Sequence, residues 1–509
     1  MTRTHSSIAP APRRPLVPLW AALPLAVAAG VLMDLSYPDL ALWPLAFVAA
    51  AALLVAVIGR SAGGALAVGL VYGLVFFGLL VSWTSRYLGP LPWLALTVLE
   101  AVLTGVMVIA LALAYRWMPA TGPATRFVLL PVVVAALWIG RESVLGRLPY
   151  GGFPWSRIAM TQSESPLATA SSWIGVTGVG FVMVLAVAAT IELARAYGIR
   201  RPLRLALPSV ALVLVALVPA FPSTVVGELR VAAVQGNGPT GYFDTRAPYS
   251  VIEAQTAASE PLIGEEIDLV VWPEGSLDYD PGRDQNTARK LDLLASRLDA
   301  PLLVNAAIQR GDEYFNSSML WQKGVAAQHD KRHPVPFGEY IPDRAFYRLL
   351  VPDLVDLVQR EYSFGKNAPL MMVGESTIGL AICFDVIYDD VITEGILGGA
   401  ELLVFQTNNA DFRGTDENLQ QLAFARMRAI ETSRWVVNVS TVGTSQVIRH
   451  DGTTVSSLET DKAGALLETI ERRTGLTSGV VLGPALENVL LWGGLVVLVA
   501  AGLWARRRA

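Results

Sequence analysis

Cysteine occurs once in this chain of 509 residues, at Cys383, lysine five times against 34 arginines, and histidine four times. One thiol cannot close an internal disulfide, so its placement answers to packing or to reactivity. Four histidines and one cysteine argue against a structural zinc site. His329 and His333 have the i,i+4 spacing of a helical metal pair, but Pro334 and Pro336 follow and no third ligand is evident. Charged residues make up 16% of the chain and the formal net charge is -4, which gives no case for a nucleic-acid partner. Arginine is the default cation, so Lys290, Lys323, Lys331, Lys366 and Lys462 stand out as places where a compact ammonium is wanted.

What the chain has in excess is apolar sequence: the hydrophobic fraction is 53%, too high for an ordinary soluble protein of this length. Between Leu16 and Val81 the only charges are Asp34, Asp39 and Arg60, and they divide runs that fit three membrane spans. Further runs lie near 91–115, 126–145, 166–194 and 203–221, and an isolated one at 485–504. The expected organisation is a tail at 1–15, a seven-span membrane domain at 16–222, a polar domain at 228–478, an eighth span at 485–504 and a tail at 505–509. Thirteen arginines fall in the tails and alternate loops on one side, against Arg86, Arg141, Arg147 and Arg157 on the other. The positive-inside rule then predicts a multi-pass membrane protein with cytoplasmic termini and an extracytoplasmic polar domain.

The polar domain reads as α/β. Short apolar, β-branched runs (LRVAAVQ, IDLVVWPE, APLLVNAAI, STIGLAICFD, AELLVFQTNN, RWVVNVST) alternate with helical patterns such as ENLQQLAFARMRAIETSR. Three polar residues stand just past such runs: Glu274, Lys331 and Cys383. Strand ends of α/β sheets are where sites assemble. Singly, each has an ordinary reading: a solvated loop carboxylate, part of a charge cluster with Asp330 and Arg332, and a buried small residue. Together they make a chemically complete set. A thiol needs a base and a nearby cation to become a nucleophile, Glu274 and Lys331 supply them, and the backbone N–H of Phe384 is a second oxyanion donor.

The order WPE, then a lysine ahead of VPFGEYIP, then ICFD resembles the carbon-nitrogen hydrolase (nitrilase) superfamily, whose members use a Glu-Lys-Cys triad on an αββα sandwich. With the membrane frame around it, the chain resembles the apolipoprotein N-acyltransferase family. The stretches RESVLGRLPYGGFPWSRIAMTQ and TNNADFRGTDENLQQLAFARMRAIE add to the likeness. The resemblance implies Glu339 as a second carboxylate beside the triad, Tyr242 and Phe243 as aromatic contacts to lipid, and Asn408 and Asn409 as substrate contacts. Phe384 and Asp385 stand where the family often has another aromatic and a glutamate, so a tyrosine hydroxyl is lost and the carboxylate is shorter.

The implied reaction needs no cofactor. A membrane phospholipid gives an acyl chain to Cys383, and the thioester passes it to the α-amine of a diacylglyceryl apolipoprotein. Two other readings fit the same residues: a membrane-tethered amidase that passes the acyl group to water, and a non-catalytic protein that keeps the fold. The segment 341–364 reads as two surface helices or as a lid that presses Phe346, Leu349, Leu350 and Val351 into lipid.

Overall fold

The computed structural model describes residues 14–118 and 122–508. Arg3 and Arg13, which entered the topology count, lie outside the described residues. The chain forms two compact units. One comprises the chain up to Ser85, Gly89–Pro219 and the segment from Leu482; the other comprises Arg86–Leu88 and Ala220–Val481.

The first unit is helical: α1 (Leu19–Asp34), α2 (Pro44–Val57), α3 (Ala62–Leu80), the start of the one-turn α4 (Ser85–Leu88), α5 (Pro90–Trp117), α6 (Leu130–Leu145), α7 (Ser171–Tyr197) and α8 (Pro202–Ala216), with a last helix, Ser478–Arg508, that begins in the second unit. Among the described residues, five helical stretches are long and apolar enough to cross a membrane: Ala62–Leu80, Pro90–Trp117, Thr125–Leu145, Pro166–Tyr197 and Ser478–Arg507. The other three apolar helices fall at the predicted runs but have 16, 14 and 15 residues. At about 1.5 Å per residue they fall short of a hydrocarbon core of about 30 Å. α3 and α5 approach closely because Gly73 has no side chain: a Cβ there would lie 2.6 Å from the Ala101 Cα. Two buried charges in this unit pair with each other, Arg126 with Glu192 at 3.2 Å. Glu142 Oε1 accepts from Trp138 Nε1 (2.9 Å) and from the Ile158 N–H (3.1 Å), which ties the 141–162 stretch back onto α6.

The second unit holds twelve strands: β1 (Thr224–Gln235), β2 (Leu269–Val271), β3 (Leu302–Arg310), β4 (Glu313–Trp321), β5 (Val325–Asp330), β6 (Leu370–Val373), β7 (Ser376–Ile382), β8 (Leu402–Thr407), β9 (Val436–Ser440), β10 (Ser445–Ile448), β11 (Thr454–Leu458) and β12 (Gly464–Thr474). They form two six-stranded sheets, ordered β12-β1-β2-β3-β4-β5 and β11-β10-β9-β8-β7-β6. β1, β2 and β3 are parallel, as are β7, β8 and β9.

Strand alternation builds the layers. In β1, Leu229, Val231 and Ala233 face a core shared with Ile378, Leu380, Leu402, Val404, Val437 and Val439 of the other sheet. Ala232 and Val234 point the other way, into a core with Ile252 of α9 (Ser250–Ser259) and Leu291, Leu294 and Leu298 of α10 (Gln285–Leu298). α11 (Arg344–Leu350) and α12 (Pro352–Val355) lie in the connection between β5 and β6. α13 (Asp389–Leu397) packs beside β7 and α14 (Glu417–Thr432) beside β9, on the second sheet. The order is helix, sheet, sheet, helix, as the resemblance implies.

Candidate active site

β5 is antiparallel to β4, which is antiparallel to β3, so β5 runs with β2 and β3. Glu274 and Lys331 therefore emerge at the same end of one sheet. Lys331 continues the strand pairing, its N–H donating to Asn316 O at 2.8 Å. Gly365 closes over this point and donates its N–H to Lys331 O at 2.8 Å; a Cβ at 365 would sit 2.2 Å from Asp330 O, so only glycine permits the approach.

Lys331 is 1% exposed. Its Nζ lies 3.2 Å from Glu274 Oε1 and 2.8 Å from Glu339 Oε2. Asn316 Nδ2 bridges the same two carboxylates, at 2.7 Å to Glu274 and 3.1 Å to Glu339. Asn305 Nδ2 in turn donates to Asn316 Oδ1 at 2.9 Å and fixes which way that amide faces. Burial works to lower the Lys331 pKa, but the charges of Glu274 and Glu339 outweigh it and hold the ammonium well above its usual range. Burial raises the Glu274 pKa against the pull of Lys331, which makes this carboxyl a better proton acceptor than a solvated one.

Cys383 opens a single 3₁₀ turn after β7 with φ at +51°, a left-handed conformation that costs an L-residue about 1–2 kcal/mol. Such strain at a strand-to-helix turn lifts a side chain out of the sheet. Burial raises the thiol pKa well above the usual value; the charge of Glu274 adds to this and Lys331 opposes it. Burial and the charge of Glu274 thus both favour the neutral thiol over the thiolate.

Asp385 sits below this turn. Its carboxylate accepts from the backbone N–H groups of Ile382 (3.3 Å), Arg332 (3.2 Å) and His333 (2.8 Å), stapling the lysine segment to the cysteine turn. Phe384 is buried beside it. His329 is buried on β5, a strand rather than a helix, while His333 Nε2 lies 2.9 Å from Asp390 Oδ2 and stacks on Tyr388.

Asn408 is engaged within the protein: its Nδ2 donates to Thr240 O and its Oδ1 accepts from Thr441. Tyr242 donates its hydroxyl to Leu357 O, and Phe243 is exposed. In 341–364, Phe346, Leu349 and Leu350 are exposed, Leu349 by 84%, whereas Val351 packs beside Ile341, Val355 and Val358.

Sequence reasoning did not find Asn305, Asn316, Gln421 or Glu417. Polar side chains inside the strand runs LLVNAAI and EYFNSSMLW were the available signal for the first two. Gln421 Nε2 lies 3.6 Å from Cys383 Sγ. Glu417, one helical turn earlier, is fully buried and accepts from Asn409 Nδ2 at 2.7 Å. Burial pushes its pKa up to about 8; the Asn409 bond opposes this and the charge of Glu274 adds to it. An unfolded glutamate titrates near ~4.3. Between these values the folded protein holds a proton that the unfolded chain has released, so stability falls as pH rises from about 5 to about 8. Glu417→Gln is expected to remove this slope. Its melting temperature should gain on the wild type between pH 5 and pH 8, and a constant difference would refute the buried proton.

A separate cavity of about 360 Å³, lined by residues that include Glu228, Asp268, Gln322 and Arg472, lies at the opposite strand ends.

Residues 29–189 match the apolipoprotein N-acyltransferase N-terminal domain, and residues 230–475 match the carbon-nitrogen hydrolase family. The apolipoprotein N-acyltransferase of Mycolicibacterium smegmatis is 31% identical, over 94% of this chain and 85% of its own length. That of Azotobacter vinelandii is 29% identical, over 97% and 96%. A crystal structure of a CN-hydrolase superfamily protein from Xanthomonas campestris covers 52% of this chain and 97% of its own, at 19% identity and a TM-score of 0.36. Helical unit and sandwich are thus matched in one continuous relationship that runs nearly end to end, and the chain belongs to the apolipoprotein N-acyltransferase family.

Proposed function

We propose that the protein moves an acyl chain from a membrane phospholipid, through a thioester on Cys383, to the α-amine of the diacylglyceryl-cysteine of an apolipoprotein. The observation that carries this is the fully buried ammonium of Lys331, held between Glu274 and Glu339 in the same site as a thiol on a strained turn.

Glu274 takes the thiol proton as sulfur attacks the phospholipid ester. Lys331 and the Phe384 N–H receive the oxyanion, and the proton leaves with the lysophospholipid. The acceptor amine then attacks the thioester, and the thiolate recovers its proton through Glu274. Anchoring in the membrane would let the protein meet both lipids where they lie, since lifting an acyl chain into water costs about 0.8 kcal/mol per CH₂. Phospholipid with a labelled acyl chain and a diacylated lipopeptide test the reading. N-acylated peptide is the expected product, and free fatty acid without it would make the protein a hydrolase.

The proposed topology puts the sandwich outside the cytoplasm. Cys383 is only 7% exposed, so the native thiol is a poor reporter. Asp312→Cys, at an exposed turn, in a Cys383→Ser background, is expected to react with an impermeant maleimide in intact cells. Labelling only after permeabilisation would invert the orientation and leave the site on the wrong side for exported acceptors.

A further inference from the structure

The reaction leaves one proton without a carrier. An α-amine with a pKa near ~8 arrives largely as ammonium and must lose one proton before it attacks and a second after. Glu274 can hold only one of them, and that one is needed to restore the thiol.

Glu417 is the carboxyl the mechanism above does not use. It is fully buried, and its Oε1 has no hydrogen-bond partner. Buried polar atoms are nearly always paired, so an orphan oxygen beside a nucleophile asks for a ligand. Its neighbours hold it rigidly. Asn409 Nδ2 donates both to Glu417 Oε2 (2.7 Å) and to Gln421 Oε1 (3.1 Å). Asn409 Oδ1 is fixed by the hydroxyls of Ser440 and Thr407. Residues 417 and 421 share one face of α14, the face from which Gln421 reaches Cys383 Sγ. The charge of Glu417 is felt at Cys383 and that of Glu274 at Glu417. The unpaired oxygen therefore lies on the thiol's side of the helix, in the same electrostatic neighbourhood as the base.

Resting on the acyltransferase reading, we infer that Glu417 Oε1 receives the α-ammonium of the acceptor and takes its first proton. Glu417 enters the step ionised, its resting proton released to solvent as the ammonium arrives, and the carboxylate accepts an N–H⁺, leaving a neutral amine and a carboxylic acid. The nitrogen lone pair then forms the N–C bond to the thioester carbon, and the carbonyl electrons move onto oxygen at Lys331. The second N–H proton passes to Glu274, the C–S bond breaks, and Glu274 returns that proton to sulfur. One proton remains on Glu417 and restores its resting carboxylic acid. An ammonium suits this position better than a phosphate, which would repel the carboxylate whenever it ionises. A carboxyl shifted to about 8 is close in proton affinity to the amine it serves.

The two half-reactions can be timed separately, with labelled phosphatidylethanolamine as donor and a synthetic diacylglyceryl-cysteinyl peptide or hydroxylamine as acceptor. Hydroxylamine is already neutral at pH 7. Glu417→Gln is expected to slow transfer to the peptide by about 10²-fold, with lysophospholipid release and transfer to hydroxylamine changed far less. Raising the pH, which neutralises the peptide amine, should recover much of the loss, and Glu417→Asp should recover part of it. An equal loss with both acceptors, or no loss with the peptide, overturns the role of Glu417. Wild-type protein that acylates hydroxylamine but never the peptide overturns the acceptor itself, and the role of Glu417 with it.

Discussion

Cys383→Ser is expected to form no acyl-enzyme and to lose N-acylation by more than about 10⁴-fold, the scale on which removal of a nucleophile acts. The reason lies in the surroundings of the sulfur. The native thiol pKa is already raised by burial and by Glu274, so the base works near the limit of what it can deprotonate. A serine hydroxyl is far less acidic and offers a harder nucleophile in the same place. The variant should still fold, because serine is nearly isosteric and the turn is held by Asp385 rather than by sulfur. Mass spectrometry after incubation with phospholipid should find the acyl adduct on wild-type protein alone. Cys383→Gly extends the argument: glycine adopts φ of +51° without strain. That variant should be equally inactive yet at least as resistant to denaturant, separating the conformational cost of the turn from its chemistry. N-acylation retained by either variant would return Cys383 to a packing role.

Much of this site was legible in the sequence because its parts sit at the ends of runs that could only be buried parallel strands. IDLVVWPE and STIGLAICFD are apolar throughout, and each delivers its polar residue where the strand stops. The strands that escaped notice are β4, β6, β10, β11 and β12. They pair antiparallel with their neighbours, and several carry polar side chains on one face, so they lack the continuous apolar signature. β5 is the instructive case: VAAQHD is short and polar at its end, yet it forms the strand that the position of Lys331 suggested. The membrane runs were found in place, but composition does not reveal helix length. Asp34 ends α1 after 16 residues, and α2 stops at 14.

The contacts around the triad were less legible for a different reason. Asn305, Asn316 and Gln421 act by orienting other groups across the sheets or from a facing helix, and partners so far apart in sequence carry no spacing signal. Glu417 opens a helix, where an acidic residue is ordinary, so only its burial and its unpaired oxygen distinguish it. Asp385 illustrates a role that differs in kind from the position that suggested it. Two residues after Cys383 in sequence, its carboxylate fastens two backbone segments.

Lys331→Arg is expected to lose nearly as much activity as Lys331→Met, although arginine is this chain's preferred cation. The ammonium is enclosed, with Glu274 at 3.2 Å and Glu339 at 2.8 Å, and a planar guanidinium is too large for that space without spreading the carboxylates. Loss of one correctly placed oxyanion donor costs about 2.7–4 kcal/mol of transition-state stabilisation, or roughly 10²–10³ in kcat. Lys331→Met carries a second penalty that arginine avoids. It leaves the buried Glu274 and the half-buried Glu339 side by side without a cation, and breaking a buried pair such as Lys331–Glu274 typically costs about 3–5 kcal/mol of stability. The two effects can be separated by removing one of the charges. Lys331→Met with Glu339→Gln is expected to regain much of the lost stability in denaturant titrations while remaining inactive in the lipopeptide assay, because the like-charge repulsion is relieved but no ammonium is restored. Recovery of activity in the double variant would mean that the lysine serves only to neutralise Glu339, and the oxyanion would then need another donor.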